Sequence, residues 1–217
     1  MFSIPIIFLI ATASFAQSKF AYGTSISIDH DSYLLVSHDG AVTFHGQIGF
    51  SAGFIARRKI ADRAFLKTGF FLSQKSYIHR ADPRKFNSNS VTSDPGIING
   101  SIDSKVSSPF ITVPVDLQFH LHPEKKITVY PLVGLVHSFR FGKDSRYYTA
   151  ADYDFFQLIG YNKYFLGVKT GVGFQLNLEK IGFSVEPQMR VYLNKVHDWF
   201  PEKNPIFIGM EFSVLKF

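Results

Sequence analysis

Between Lys163 and Asn194, apolar and polar residues alternate along two segments that only Leu178-Glu179-Lys180 separates. Tyr164, Leu166, Val168, Val172, Phe174 and Leu176 share one parity, against Lys163, Gly167, Lys169, Gly171, Gly173, Gln175 and Asn177 on the other. Beyond the connection, Ile181, Phe183, Val185, Met189, Val191 and Leu193 oppose Gly182, Ser184, Glu186, Gln188, Arg190 and Asn194. Successive side chains of a strand point to opposite faces, so a sustained period of two means extended chain and not helix. Strands of soluble domains usually run about five or six residues, whereas a tilted strand crossing a bilayer needs roughly nine to eleven. The two segments predict a hairpin long enough to span a membrane.

The pattern recurs along the chain. Phe20, Tyr22, Thr24, Ile26 and Ile28 alternate with Ala21, Gly23, Ser25 and Ser27, and a polar loop is expected over 29–40. A second strand over 42–55 sets Phe44, Ile48, Phe50, Ala52 and Phe54 against Thr43, His45, Gln47, Gly49 and Ser51. A charged turn containing Arg57-Arg58-Lys59 and Asp62-Arg63 leads to a third strand over 64–78, with Leu66, Phe70 and Leu72 outward and Lys67, Gly69, Ser73 and Lys75 inward. In the fourth, Ile111, Val113, Val115, Leu117, Phe119 and Leu121 oppose Thr112, Asp116, Gln118, His120 and His122. Pro123-Glu124-Lys125-Lys126 turns into a fifth strand over 127–141, whose alternation Leu132 and Val136 blur by falling on the inward face. The hairpin and a last strand over 205–217 bring the count to eight.

Connections alternate in length. Three short turns (56–63, 123–126, 178–180) and four longer loops put both chain ends on the short-turn side. The longest loop, 79–108, is rich in Ser, Asn, Asp, Gly and Pro and lacks periodicity. Such a loop is uncommon inside a compact soluble domain, but outer-membrane barrels carry long extracellular loops and short periplasmic turns. Tyr77, Phe139, Phe141, Tyr164, Tyr192 and Phe207 near strand ends suit interfacial aromatic girdles. The expected fold is all-β: one domain over 17–217, an eight-stranded antiparallel up-and-down transmembrane β-barrel in the bacterial outer membrane. Pro114, Pro131 and Pro187 fall inside strands, where a missing N–H predicts local bulges.

Composition agrees. Among 217 residues, 16% are aromatic and 18% charged, and mean hydropathy is +0.06, the middling value that alternation produces. After the first sixteen positions there is no apolar run of about twenty residues, which excludes a helical membrane protein. Residues 1–16, ending in Ser14-Phe15-Ala16 before Gln17, read as a secretory signal peptide, although its start carries no Lys or Arg. With no cysteine, neither a lipidated cysteine nor a disulfide is available. After a signal peptide, the formal charge of +6 argues poorly for nucleic acid. Arg80, Arg84, Lys85, Lys143, Arg146, Lys195 and Lys203 in the long-loop regions could meet lipopolysaccharide phosphates or simply be solvated.

Three stretches carry a family resemblance: Ile111-Thr112-Val113-Pro114-Val115-Asp116-Leu117, Tyr130-Pro131-Leu132-Val133-Gly134-Leu135, and Gly167-Val168-Lys169-Thr170-Gly171-Val172-Gly173 with its hairpin. They resemble the PorT-like outer-membrane β-barrel family of Bacteroidota, and the Phe-Ala-Gln end of the leader is similar to those lineages. The resemblance covers nearly all of 17–217 and implies a barrel. Some members resemble parts of the type IX secretion apparatus. Such barrels usually end in a Phe, but Phe217 shares parity with Glu211 and Ser213, so it is expected at the periplasmic interface and not on the lipid face.

An eight-stranded barrel is just wide enough for side chains to fill. The inward set, Lys67, Lys75, Asp116, Arg140, Lys169, Glu186, Arg190 and Glu211, is expected to pair across the lumen, because unpaired buried charge is costly. Asp116, His120 and His122 share one face, but a tetrahedral metal site needs further ligands. His30-Asp31-Ser32 has a His-x-Ser spacing that a lipid A-modifying enzyme could use if a neighbour supplied an acid. A fortuitous match is the commoner explanation. Tyr147, Tyr148, Tyr153, Phe155 and Phe156 could bind glycan or protein, or pack a loop on the rim. No catalytic, cofactor or metal residue is therefore assigned. The expectation is a non-catalytic scaffold in contact with outer-membrane lipid and lipopolysaccharide, meeting a protein partner through loops 79–108 and 142–162. The alternatives are a lipid A-modifying enzyme and a soluble lipocalin-like carrier with the faces inverted.

Overall fold

A computed structural model describes residues 20–32, 42–81, 102–142, 145–148, 163–194 and 205–217. The leader expected over 1–16 lies outside them, as do Arg84, Lys85, Lys143, Lys195, Lys203, Tyr153, Phe155 and Phe156.

The described chain forms ten strands: β1 (Phe20–Ser32), β2 (Val42–Gly46), β3 (Ile48–Lys59), β4 (Ala64–Ala81), β5 (Ile102–Phe119), β6 (Ile127–Arg140), β7 (Ser145–Tyr148), β8 (Tyr164–Asn177), β9 (Ile181–Tyr192) and β10 (Ile206–Lys216). Eight of them close a ring in which β1 pairs β3, β3 pairs β4, β4 pairs β5, β5 pairs β6, β6 pairs β8, β8 pairs β9, β9 pairs β10 and β10 returns to β1, all antiparallel. Closure leaves no unpaired edge in the barrel wall, the condition a sheet must meet in hydrocarbon. The short strands β2 and β7 add to the far ends of β4 and β5.

Side-chain direction follows the alternation. Ile26, Phe50, Phe54, Leu72, Ile127 and Ile208 face outward, Phe54 being 70% exposed, while Lys67, Asp116, Lys169, Glu186 and Glu211 are at most 1% exposed inside. A soluble carrier needs the opposite arrangement. Leu132 and Val136, which blurred the fifth strand, are buried in the lumen with Phe71 and Leu215.

The turns over 60–63 and 178–180 are closed by backbone bonds from the Ile60 N–H to Ala64 and from the Leu178 N–H to Ile181. Phe20 and Phe217 lie on this short-turn side, where the Phe217 N–H donates to Lys180. On the other side, β4 and β5 stay paired out to Ala81 and Ile102. The ends of the expected 79–108 loop are thus strand, and so are Ser145–Tyr148 of the 142–162 loop. Local polarity obscures strands that project beyond the apolar belt, because there neither face needs to be apolar.

The expected proline bulges do not form. Pairing of β4 with β5 lapses opposite Pro114 and resumes at Phe71 and Thr112 in the same register. Pairing of β8 with β9 lapses likewise opposite Pro187, and Pro131 keeps its place opposite Val172. The missing N–H removes a bond without adding a residue, and the Thr68 hydroxyl donates to the Pro114 carbonyl at 2.9 Å. A bulge does occur at Gln47, where pairing with β4 moves from Gly46 and Tyr77 to Phe50 and Gln74, four steps on one strand against three on the other.

Candidate functional site

The lumen is built in three layers. At mid-barrel, the Lys67 ammonium lies 2.6 Å from Glu186 and 2.8 Å from Glu211, and Lys169 lies 2.7 Å from Asp116 and 3.2 Å from Glu211. Five charges from five strands thus form one network. Its remaining acceptors are partly filled: Tyr130 and Gln118 donate to Glu186 at 2.7 and 3.0 Å, and Ser25 donates to Glu211 at 3.0 Å. Buried charge is tolerable only when paired and hydrogen-bonded in this way. Nearer the long-loop side, Arg190 meets Asp29 at 3.2 Å. Asp29 therefore belongs to β1 and the lumen, and not to the loop expected over 29–40.

The layer above is aromatic. Phe110, Phe165, Tyr192 and Phe207 cluster, with Tyr192 edge-on to Phe165 and Phe207 at 5.7 and 5.0 Å. The Lys75 ammonium sits 4.2–4.8 Å from the Tyr192, Phe207 and Phe110 ring centres and donates to the Tyr192 hydroxyl at 2.5 Å. Lys75 was expected to find a carboxylate; its partners here are ring faces and hydroxyls. Tyr192 and Phe207 are likewise not girdle residues, because their parity is that of Arg190 and Glu211. Phe139, Phe141 and Tyr164 do face outward. Arg140 has the inward parity and is half-buried at the rim.

The third layer closes the short-turn mouth. Arg57, expected in the turn, lies within β3 and is buried, with its guanidinium 5.0 Å from the Phe65 ring centre and 5.5 Å from that of Phe217. It also donates to the Gln175 side-chain carbonyl. Its parity matches Ser51 and Ile55, so the signal was present beneath the charge run Arg57-Arg58-Lys59. Phe217 turns inward over Gly182, as its parity with Glu211 predicts.

The Asp116, His120 and His122 set does not assemble. Asp116 is held by Lys169, His120 is buried and stacked on Tyr130 at 4.4 Å, and His122 lies exposed beside Glu124 at 3.5 Å. Among the described residues, no three His, Cys, Asp or Glu side chains are grouped to hold a metal ion. His30 lies on the outer face of β1, where its register partners are Ile48 and Ile208. Neither flanking strand sets a carboxylate opposite it, and Asp29 points into the lumen.

A closed ring of eight long strands, apolar outside and ionic within, is the arrangement of a membrane-spanning barrel. The model of the outer membrane protein beta-barrel domain matches residues 12–198. The chain belongs to the outer-membrane β-barrel family. This outer-membrane barrel is accordingly a protein of the bacterial outer membrane. Among solved structures, it is similar to Neisserial surface protein A, at 12% identity and a TM-score of 0.48, over 92% of this chain and 98% of that one. It is also similar to OprG from Pseudomonas aeruginosa, at 12% identity and a TM-score of 0.43, over 91% and 94% of the two chains. Outer Membrane Protein W of E. coli gives 12% identity and a TM-score of 0.44, over 94% of this chain and 100% of that one. No curated protein sequence matches the outer-membrane barrel.

Proposed function

We propose that this chain is a non-catalytic outer-membrane scaffold that works through its long-loop side, as one part of a larger secretion or transport assembly of the PorT-like kind. The observation that carries the reading is the projecting sheet β2-β4-β5-β7. Beyond Ser76 and Ser107, β4 and β5 continue for about five further residues each, roughly 17 Å at about 3.3 Å per residue. β2 and β7 flank this extension, β2 pairing with β4 and β7 with β5. Rigid paired strands offer a partner a preorganised surface at lower entropic cost than a bare loop. The packed ionic lumen supports a scaffold over a pore.

A photo-crosslinking residue in place of Lys105, which is exposed on the β5 extension, tests this in intact cells. A discrete adduct with another envelope protein is expected, absent when the same residue replaces the lipid-facing Val115. No protein adduct from any extension position, or a stable conductance step in planar bilayers, would overturn the proposal.

A further inference from the structure

Three buried basic side chains of the lumen, Lys67, Lys169 and Arg190, bond to carboxylates. Lys75 is enclosed by rings. Arg57 differs from all of these. It is 4% exposed, its partners among the described residues are the Gln175 amide and the faces of Phe65 and Phe217, and it lines a cavity of about 730 Å³ at the short-turn mouth. That volume lies within the roughly 300–1,000 Å³ usual for small-molecule sites. Glu186 acts on Arg57 through space, but no salt bridge joins the guanidinium to a carboxylate among the described residues, and an entering anion would supply the direct partner that Lys67, Lys169 and Arg190 already have.

The rest of the lining agrees. Lys59, Lys125 and Lys126 join Arg57 against Glu124 and Glu179, a surplus of two positive charges. Counting Asp62, which Lys59 meets at 3.6 Å, leaves a surplus of one. His120 stands in the same wall, buried, with its Nε2 lacking a hydrogen-bond partner among the described residues. Phe20, Phe65 and Phe217 supply apolar surface. The turn carrying Lys125 and Lys126 is held in place, since Thr128 donates to the His122 carbonyl at 3.1 Å and Asn177 donates to the Lys125 carbonyl at 3.1 Å.

We propose that the short-turn mouth binds a phosphate ester attached to an apolar body, with the Arg57 guanidinium as the principal anion-binding group. A planar guanidinium can donate two parallel bonds to a phosphate, and a phosphate ester carries the one or two negative charges that the lining leaves uncompensated. Such an ester could arrive as a soluble metabolite or as the headgroup of a lipid in the inner leaflet. This site is at the opposite end of the barrel from the projecting sheet and does not depend on that sheet's role.

The full chain, folded in neutral detergent micelles, is titrated calorimetrically with phenyl phosphate, dihexanoyl phosphatidic acid and inorganic phosphate. Saturable binding of at least one ester is expected, at least tenfold tighter than inorganic phosphate. The affinity should fall at least tenfold in Arg57→Gln and severalfold in the turn variant Lys125→Gln/Lys126→Gln. Binding of phenyl phosphate assigns a soluble ester, and binding of the lipid alone assigns the leaflet. No saturable binding of either ester, or equal affinity for inorganic phosphate, overturns the proposal. So does undiminished affinity in a folded Arg57→Gln protein. If Arg57→Gln does not fold, unchanged affinity in the lysine variant overturns it instead.

Discussion

Tyr130 lies across Gly173, its register partner on β8, and its ring fills the space that a β-carbon on residue 173 would need. That carbon would stand 2.1 Å from two ring atoms, far inside contact distance. The same phenol donates to Glu186 at 2.7 Å, so the glycine is what allows Tyr130 to reach the ionic layer. Gly173→Ala must displace the ring, and overpacking of a well-filled interior costs about 1–3 kcal/mol. The expected outcome is a lower urea midpoint for loss of the heat-modifiable band on denaturing gels. Tyr130→Ala should restore part of it when combined with Gly173→Ala, and equal midpoints for Gly173→Ala and wild type would contradict the packing described.

Glu211 joins Lys67 and Lys169, so its removal takes one carboxylate from each buried ammonium and leaves Lys67 with Glu186 and Lys169 with Asp116. Leaving a buried charge with no partner costs about 3–5 kcal/mol, and the carboxylate each lysine retains keeps the expected loss toward the lower end of that range. Glu211→Ala should therefore be clearly destabilising. By contrast, Lys59→Ala removes only a 3.6 Å contact with exposed Asp62, and surface pairs are worth about 0–1 kcal/mol. Equilibrium unfolding of both variants in one detergent checks the ordering, and a Glu211→Ala loss no larger than that of Lys59→Ala would refute it.

Phe54 faces lipid midway along β3, opposite Phe70 on β4. Placing Arg there should cost about 2–4 kcal/mol, the range for a cation near the bilayer midplane. The penalty should fall for an Arg at Ile60, which lies in the short-turn connection. Unfolding in lipid vesicles measures both, and a reversed order would mean that the apolar belt is misplaced.

The alternation of the β8–β9 hairpin placed its turn to the residue, between Asn177 and Ile181, because a period of two leaves little freedom once one face is charged, while the outer ends at Lys163 and Asn194 lie one and two residues beyond the strands. Which face pointed inward was harder. Parity sorts side chains into two sets but does not say which meets lipid, and the charged set proved to be inside. Arg57 and Asp29 were misplaced for one reason: a charge near a strand end looks like loop until a partner or cavity across the barrel accounts for it.

What the sequence determines by itself is local: strand periodicity, the short turns, and membership of each residue in one of two faces. The tertiary structure alone decided which charges meet, since Lys67 finds Glu186 and Glu211 only when closure brings together strands more than a hundred residues apart in the chain. It also decided that Lys75 is enclosed by rings and that Arg57 faces a cavity. Closure relates residues by position around the ring and along its axis, and neither coordinate is written in the spacing of a single strand.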